Sequence, residues 1–197
     1  MSGDQTTRFV PTVYLIRHAT PDWSRTDLPY AVLPGPPLTP QGVDEAMQLG
    51  YFLREAGAAQ ILTSPFERAV HTARIAAGVA GVPIEQEEGL AEWRPDEKAD
   101  AIRARVWPVW ERARDLSQQA GPVALITHGG PISFLLEELG LAKNVLEQHK
   151  RRFDRNNPLP PAGVWKAALP APDAAWDLQL AFVPEPVKPG ATRYAIV

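Results

Sequence analysis

Residues 13–18 read Val-Tyr-Leu-Ile-Arg-His, a short apolar run that ends in two basic side chains. Short runs of this kind are typical of strands buried inside a sheet. The arrangement recurs at 122–127, where the run ends at His128, and at 61–63, where a shorter run ends at Ser64. Ligands of open α/β sheets bind beyond the carboxyl ends of the strands. The sequence therefore predicts one pocket where these three strand ends meet.

Helical segments separate the predicted strands. Thr39 and Pro40 are typical of the N-cap and the first position of a helix. A Ser-x-x-Glu pattern at 64–67 predicts that a second helix begins there with a capping box. The later elements are two helices followed by an antiparallel pair of strands at a sheet edge: 95–119, 131–139, 164–169 and 176–183.

This alternation of strands and helices predicts an α/β fold. We expect a three-layer α/β/α sandwich with a mostly parallel central sheet and a short helical cap. A single domain is expected over 1–197, with its core at about 12–183 and a small cap at about 93–120.

Composition narrows the range of functions. The chain has 197 residues, a formal net charge of −3 and no cysteine, which excludes disulfides, thiolate catalysis and cysteine-ligated zinc. This charge gives no general attraction to nucleic acid or to an anionic membrane. No apolar run approaches the ~20 residues that cross a bilayer, and the polar N-terminal stretch does not resemble a signal peptide. We therefore expect a cytoplasmic protein with neither a nucleic-acid nor a membrane partner.

Four groups of residues have chemistry that suits a phosphate ester. Arg17 and His18 pair a fixed cationic fork with an imidazole nucleophile. Arg68 lies near the start of a predicted helix, where an anion is favoured, and His128 precedes two glycines. Glu92 is a candidate acid that protonates a leaving oxygen. Each group alone is also consistent with an ordinary surface or turn role. No histidine pair has the spacing of metal ligands, so no metal site is predicted.

Together these groups follow a recognisable order. Their sequence and local context resemble the histidine phosphatase superfamily, which includes the phosphoglycerate mutases. The matching motifs are Arg17-His18, Trp23, Pro37-Leu38-Thr39 with Gly42, the Ser-Pro-x-x-Arg-Ala-x-x-Thr-Ala stretch of 64–73, Leu90-x-Glu92 and Thr127-His128-Gly129. The resemblance covers roughly residues 12–140.

The resemblance implies a role for each of five side chains. His18 would be the phosphorylated nucleophile, and Arg17, Arg68 and His128 would hold the phosphoryl oxygens. Glu92 would act as general acid and then as general base. No cofactor is implied, because two arginines and a histidine can supply the charge that a metal ion supplies elsewhere.

The sequence also departs from the family pattern. Ser24 stands where an asparagine often contacts phosphate, so its hydroxyl is a candidate substitute. Trp93-Arg94-Pro95 replaces the Trp-Glu-Gly that often follows the acid. This leaves open whether Glu92 or the nearby Glu88 is the acid.

Three functions remain open at this point. Only 36 positions separate Glu92 from His128, whereas phosphoglycerate mutases carry a longer insertion that encloses the intermediate. An open site favours hydrolysis, so a phosphomonoesterase that acts on a small phosphorylated metabolite is the leading hypothesis. The alternatives are mutase-type phosphotransfer and a non-catalytic protein that binds a phosphorylated ligand. Homodimer formation is left open.

Overall fold

The computed structural model describes residues 9–153 and 157–186. The strands in these ranges are β1 (Thr12–Arg17), β2 (Gln60–Thr63), β3 (Ile84–Gln86), β4 (Val123–Thr127), β5 (Val164–Ala168) and β6 (Asp177–Phe182). The helices are α1 (Pro40–Glu55), α2 (Glu67–Ala80), α3 (Ala99–Ala120), α4 (Gly129–Glu138) and α5 (Lys143–Arg152), and a 3₁₀ turn spans Glu88–Leu90. Among these helices, none is both long and apolar enough to cross a bilayer.

The strands form one sheet in the order β3-β2-β4-β1-β5-β6. β3, β2, β4 and β1 pair in parallel, whereas β5 is antiparallel to both β1 and β6. The mostly parallel sheet and the antiparallel pair at one edge were both predicted, and both are confirmed.

Alternating side chains of the central strands bury themselves in two separate cores. Val13 and Leu15 of β1 pack in a cluster with residues of α3 and α4. Tyr14 and Ile16 point to the opposite face and pack with residues of α1 and α2. Because successive side chains of a strand point to opposite faces, one six-residue strand serves both cores. The result is the three-layer α/β/α sandwich that the sequence predicts.

The pairing of β1 with β4 brings the two predicted site histidines together. Arg17 is opposite Thr127 in the parallel register, so the next residue of each strand is a histidine. The backbone N–H of His18 donates to the carbonyl of Thr127 at 2.9 Å. Residues that are 110 positions apart in the chain therefore lie side by side at the carboxyl edge of the sheet.

The start of α2 differs from the prediction. The helix begins at Glu67, and its N-cap residue Phe66 makes no side-chain capping bond. Ser64 is still extended chain at this point, and its hydroxyl lies 2.8 Å from His128 Nε2. The capping-box interpretation was wrong, because the backbone N–H of Ser64 donates to the carbonyl of Ile126 and that of Glu67 to the carbonyl of Pro34. The Ser64 hydroxyl accepts instead from the Phe66 N–H, at 3.3 Å, besides its contact with His128.

The helix of residues 99–120 is part of the sandwich. Ile102, Val106, Trp110 and Ala113 are buried against the sheet, although a small cap was expected over 93–120. Residues 93–98, at the start of the expected cap, form a non-helical loop, and this loop lies next to the predicted pocket.

Candidate active site

His18 follows β1 directly and is almost fully buried. Its Nδ1 lies 2.8 Å from the backbone carbonyl of Ala19, a pure acceptor, so Nδ1 carries the proton. The lone pair is therefore on Nε2, which accepts from Arg68 Nε at 3.3 Å and lies 3.2 Å from the hydroxyl of Tyr30. This geometry presents one imidazole nitrogen as a nucleophile and fixes the orientation of the ring.

Arg68 is a fully buried cation. Its guanidinium donates to His18 Nε2 at 3.3 Å, to His128 Nδ1 at 3.2 Å and to the carbonyl of Tyr30 at 3.0 Å. These acceptors are neutral, and a buried charge is costly when its hydrogen bonds go only to neutral groups. The arrangement favours binding of an anion between Arg68 and the two histidines.

His128 lies at the N-terminus of α4 and is also fully buried. Arg68 can only donate, so Nδ1 of His128 accepts its hydrogen bond and Nε2 donates to Ser64 Oγ at 2.8 Å. The rings of His18 and His128 are 5.1 Å apart between centroids. The two rings are therefore in direct contact, with the Arg68 guanidinium bonded to both.

Arg17 also contributes to this site. Its side chain is nearly buried, and NH1 donates to the carbonyl of Leu159 at 3.2 Å. It lines a cavity of about 270 Å³ together with His18, Trp23, Tyr30, Glu92, Gly129 and Asn157. We call this space the site cavity.

Glu92 enters the site cavity from the loop that precedes α3. Its Oε2 lies 3.8 Å from His128 Nδ1, and its Oε1 accepts from the Trp93 backbone N–H at 2.8 Å. Arg105 holds this loop through hydrogen bonds to the carbonyls of Gly89, Ala91 and Glu92. Glu88, the other candidate acid, is exposed and does not line the site cavity.

Burial and charge set the protonation states of these groups. Burial, with Arg68 and Arg17 adding to it, holds the pKa of His18 well below its usual 6.5. Burial and Arg68 do the same to the pKa of His128. Burial raises the pKa of Glu92, although the Trp93 amide and Arg68 oppose that change. The site thus combines a neutral imidazole with a carboxyl that keeps its proton more readily than usual.

Two glycines allow close approach to the start of α4: Gly130 faces the loop that carries Glu92 (residues 89–98, here called the acid loop), and Gly129 faces Asn157. A Cβ at Gly130 would lie 2.7 Å from both Glu92 Oε1 and Trp93 Cβ, and one at Gly129 would lie 1.6 Å from Asn157 Oδ1. Adjacent glycines at a helix start can let the backbone approach a ligand closely. In the structure they make room for side chains of the protein.

Ser24 is not brought to the site. It is exposed, and its hydroxyl donates to Asp22 Oδ1 at 2.6 Å, which also accepts from the Ser24 backbone N–H at 3.0 Å. A local turn with Asp22 occupies the hydroxyl that the sequence comparison placed on phosphate. Ser24 does not line the site cavity.

Tyr30 is a site residue that the sequence reasoning missed. Besides facing His18, its ring lies 3.9 Å from the Arg68 guanidinium carbon and stacks on Trp23 with 4.3 Å between centroids. It comes from the long loop between β1 and α1, which has no periodic pattern. The one available signal was an aromatic residue near Trp23 in a loop that follows the Arg-His motif.

Among the described residues, no group of three or more histidine and carboxylate side chains is placed to hold a metal ion. The two guanidiniums described above can offset the negative charge of a phosphoryl group.

Comparison with known families agrees with this geometry. Residues 13–96 match the family model of the histidine phosphatase superfamily (branch 1). The histidine phosphatase resemblance is confirmed. The matched range contains four of the predicted side chains: Arg17, His18, Arg68 and Glu92. No curated protein matches the sequence.

Solved structures show the same histidine phosphatase fold. A mycobacterial glucosyl-3-phosphoglycerate phosphatase in complex with VO₃ is 17% identical, with 87% of this chain and 98% of that chain covered and a TM-score of 0.65. Phosphoglycerate mutase from Bacillus anthracis is 16% identical, with coverages of 89% and 94% and a TM-score of 0.66. Phosphoserine phosphatase from Entamoeba histolytica is 15% identical, with coverages of 85% and 94% and a TM-score of 0.62. At these identities the likeness establishes the fold.

Proposed function

We propose that the protein is a phosphomonoesterase that transfers the phosphoryl group of a small phosphorylated metabolite to His18 Nε2 and then to water. The observation that carries this proposal is the buried Arg68 guanidinium, which bonds to two neutral imidazoles and a carbonyl. An anion that sits among these groups would meet a cation at hydrogen-bond distance and a nucleophile beside it.

In the first step the Nε2 lone pair of His18 attacks phosphorus. The bond from phosphorus to the ester oxygen breaks, and Glu92 gives its proton to that oxygen, so the product alcohol leaves neutral. Arg17 and Arg68 bind the phosphoryl oxygens and stabilise the charge that they carry in the transition state. Once Arg68 bonds to the phosphoryl group, His128 can carry its proton on Nδ1 and donate to a phosphoryl oxygen as well, with the Ser64 hydroxyl donating to Nε2.

In the second step a water molecule attacks the phosphohistidine. The Glu92 carboxylate, now without its proton, accepts a proton from the water, and the bond from phosphorus to Nε2 breaks. Inorganic phosphate leaves, and both Glu92 and His18 return to their starting states.

Hydrolysis is favoured over mutase-type return transfer by the position of α3. This helix packs on the sheet, and none of residues 93–127, all of which the structure describes, lines the site cavity. Water can then reach the phosphohistidine without an enclosing insertion. The lack of such cover is the reason to place hydrolysis first.

The test is hydrolysis of p-nitrophenyl phosphate in EDTA by the wild type, by His18→Ala and by the control His71→Ala. His71 lies on α2 and does not line the site cavity. We expect metal-independent turnover in the wild type and the control and none in His18→Ala. Rapid quenching with ³²P-labelled substrate should also trap an acid-labile label that His18→Ala lacks.

Three results would contradict the proposal. Turnover that persists in His18→Ala would rule out the phosphohistidine route. Tight phosphate binding without turnover of any phosphoester would favour a non-catalytic binding protein, and transfer to an added acceptor in place of water would favour a mutase.

A further inference from the structure

A groove of about 550 Å³ lies next to the site cavity. One wall is the loop segment 31–33, and the other includes Trp93 and Arg94 of the acid loop. We call it the Val32 groove, after the residue of this segment that is most exposed.

The Val32 groove and the site cavity share Glu92, which lines both. The same loop also contributes to both, because Tyr30 lines the cavity and the three residues after it line the groove. In the proposed reaction Glu92 protonates the ester oxygen. The organic group attached to that oxygen must therefore begin beside Glu92, at the point where the groove meets the cavity.

The walls of the groove are mainly apolar. Val32 and Leu33 are 59% and 51% exposed, so their apolar surface is accessible to a ligand in the groove. The indole N–H of Trp93 already donates to the carbonyl of Glu97 at 2.8 Å, so its ring offers the groove an apolar surface.

Opposite charges near the groove offset one another. Arg105 bonds to the Glu97 carboxylate at 2.6 Å and to backbone carbonyls of the acid loop. Arg94 is 67% exposed and faces Asp96 at 3.9 Å, and Glu88 adds a negative charge to the lining. A second phosphate or a carboxylate on the substrate would find little compensation here.

We propose that the Val32 groove binds the organic part of the substrate, and that this part is an uncharged apolar group such as an alkyl chain or an aromatic ring. The proposal rests on the proposed function, because Glu92 as the acid fixes where the leaving group lies. It makes Val32, Leu33 and Trp93 specificity-determining residues.

A second cavity, of about 470 Å³, competes for this role. It meets the site at Arg17 and Trp23, and its walls include several prolines, Val183 and Glu185. Glu92 does not line it, so a leaving group in that cavity would point away from the acid. Because Glu92 lines the Val32 groove and not this second cavity, we place the organic part of the substrate in the Val32 groove.

The test is a series of unbranched alkyl phosphates from methyl to hexyl, because the basicity of the leaving alcohol hardly changes along it. Each methylene buried in an apolar groove can raise kcat/KM by up to about fourfold. We expect hexyl phosphate to exceed methyl phosphate by at least about tenfold. Phosphoserine and 3-phosphoglycerate, which carry a carboxylate, should be poor substrates.

Matched variants locate the effect. Val32→Ser and Leu33→Ser should each lower kcat/KM for hexyl phosphate by about fivefold and leave methyl phosphate nearly unchanged. Val183→Ser removes an exposed valine from the competing cavity, and Val10→Ser removes one far from both, with exposures of 43% and 54%. We expect neither control to change the dependence on chain length.

A flat dependence on chain length with normal turnover would overturn this inference and leave the phosphohistidine mechanism intact. A dependence that Val183→Ser abolishes and Val32→Ser does not would assign the leaving group to the other cavity. Absence of turnover and of labelled His18 throughout the series would instead overturn the proposed function.

Discussion

Replacing Gly130 with alanine tests whether the placement of Glu92 controls the chemical step. Gly130 is the second residue of α4, and its added Cβ would lie 2.7 Å from Glu92 Oε1 and 2.7 Å from Trp93 Cβ. Rotation of the Glu92 side chain can relieve only the first contact, because the second involves an atom fixed to the backbone. The acid loop must therefore move away from α4.

The size of this movement follows from packing distances. Carbon atoms prefer separations of about 3.5–4.0 Å, so the loop must retreat by about 1 Å. A misplacement of about 1 Å in a catalytic group costs about 100-fold in rate. We expect kcat for an alkyl phosphate to fall by about that factor. Phosphate affinity should stay nearly constant, because the guanidiniums and imidazoles are not displaced.

The assay compares two substrates. An alkyl phosphate needs the acid to protonate a basic leaving oxygen, whereas p-nitrophenyl phosphate has a leaving group that needs little protonation. Gly130→Ala should therefore lower kcat far more for the alkyl ester than for the aryl ester. Inorganic phosphate affinity is measured by calorimetric titration of the same samples.

Gly78→Ala is the matched control. Gly78 lies within α2, and nothing is within 4 Å of the position that its Cβ would take. Alanine there should leave kcat unchanged and stabilise the helix by about 0.5–1 kcal/mol. Equal losses on both substrates in Gly130→Ala, or a parallel loss of phosphate affinity, would refute the placement argument.

Other variants test the anion site and its supports. Arg68→Lys keeps the charge but loses the planar fork, so phosphate affinity measured by titration should fall by about tenfold or more; equal affinity would contradict the role of the fork. The buried Thr72 hydroxyl accepts from the Ala19 backbone N–H at 3.0 Å and donates to the Arg68 carbonyl at 2.6 Å. Thr72→Val should therefore lower the free energy of unfolding in urea by about 1–3 kcal/mol, and no measurable loss would mean that water replaces the hydroxyl. The pKa values of His18 and His128 lie well below 6.5, so below that pH the unfolded chain binds protons that the native state does not. The free energy of unfolding should then fall from about pH 7 toward about pH 5, and should fall less in His18→Asn; equal slopes would show that His18 does not stay neutral.

The strands and their terminal residues were predictable because the signal is local. The apolar runs at 13–16 and 122–127 are short and end in polar residues, and parallel pairing then places those residues at one edge. The start of α1 was equally local, since the Gly42 backbone N–H donates to the Thr39 hydroxyl at 3.0 Å. Features of this kind depend on residues that are close together in the sequence.

The parts that were missed depend on contacts between distant segments. Tyr30 reaches Arg68 because a loop of irregular backbone folds back over the sheet edge, and no periodic pattern encodes that path. Ser64 carried a valid capping pattern, yet His128 is its partner in the structure. Ser24 differs in that its hydroxyl bonds to a residue close in sequence, Asp22, and therefore does not point into the site.

The position of β4 has a consequence for how the protein is made. β4 lies between β1 and β2, so these two early strands pair with β4 and not with each other, and that pairing waits until residues 123–127 have been synthesised. Contacts between such distant segments form slowly, because a long loop must first close. During synthesis on the ribosome, His18 and Arg68 emerge early. They come together only after β4 has paired with β1 and β2. The cluster of His18, Arg68 and His128 therefore assembles late in synthesis, and a chain interrupted before residue 123 lacks the strand that would join its two halves.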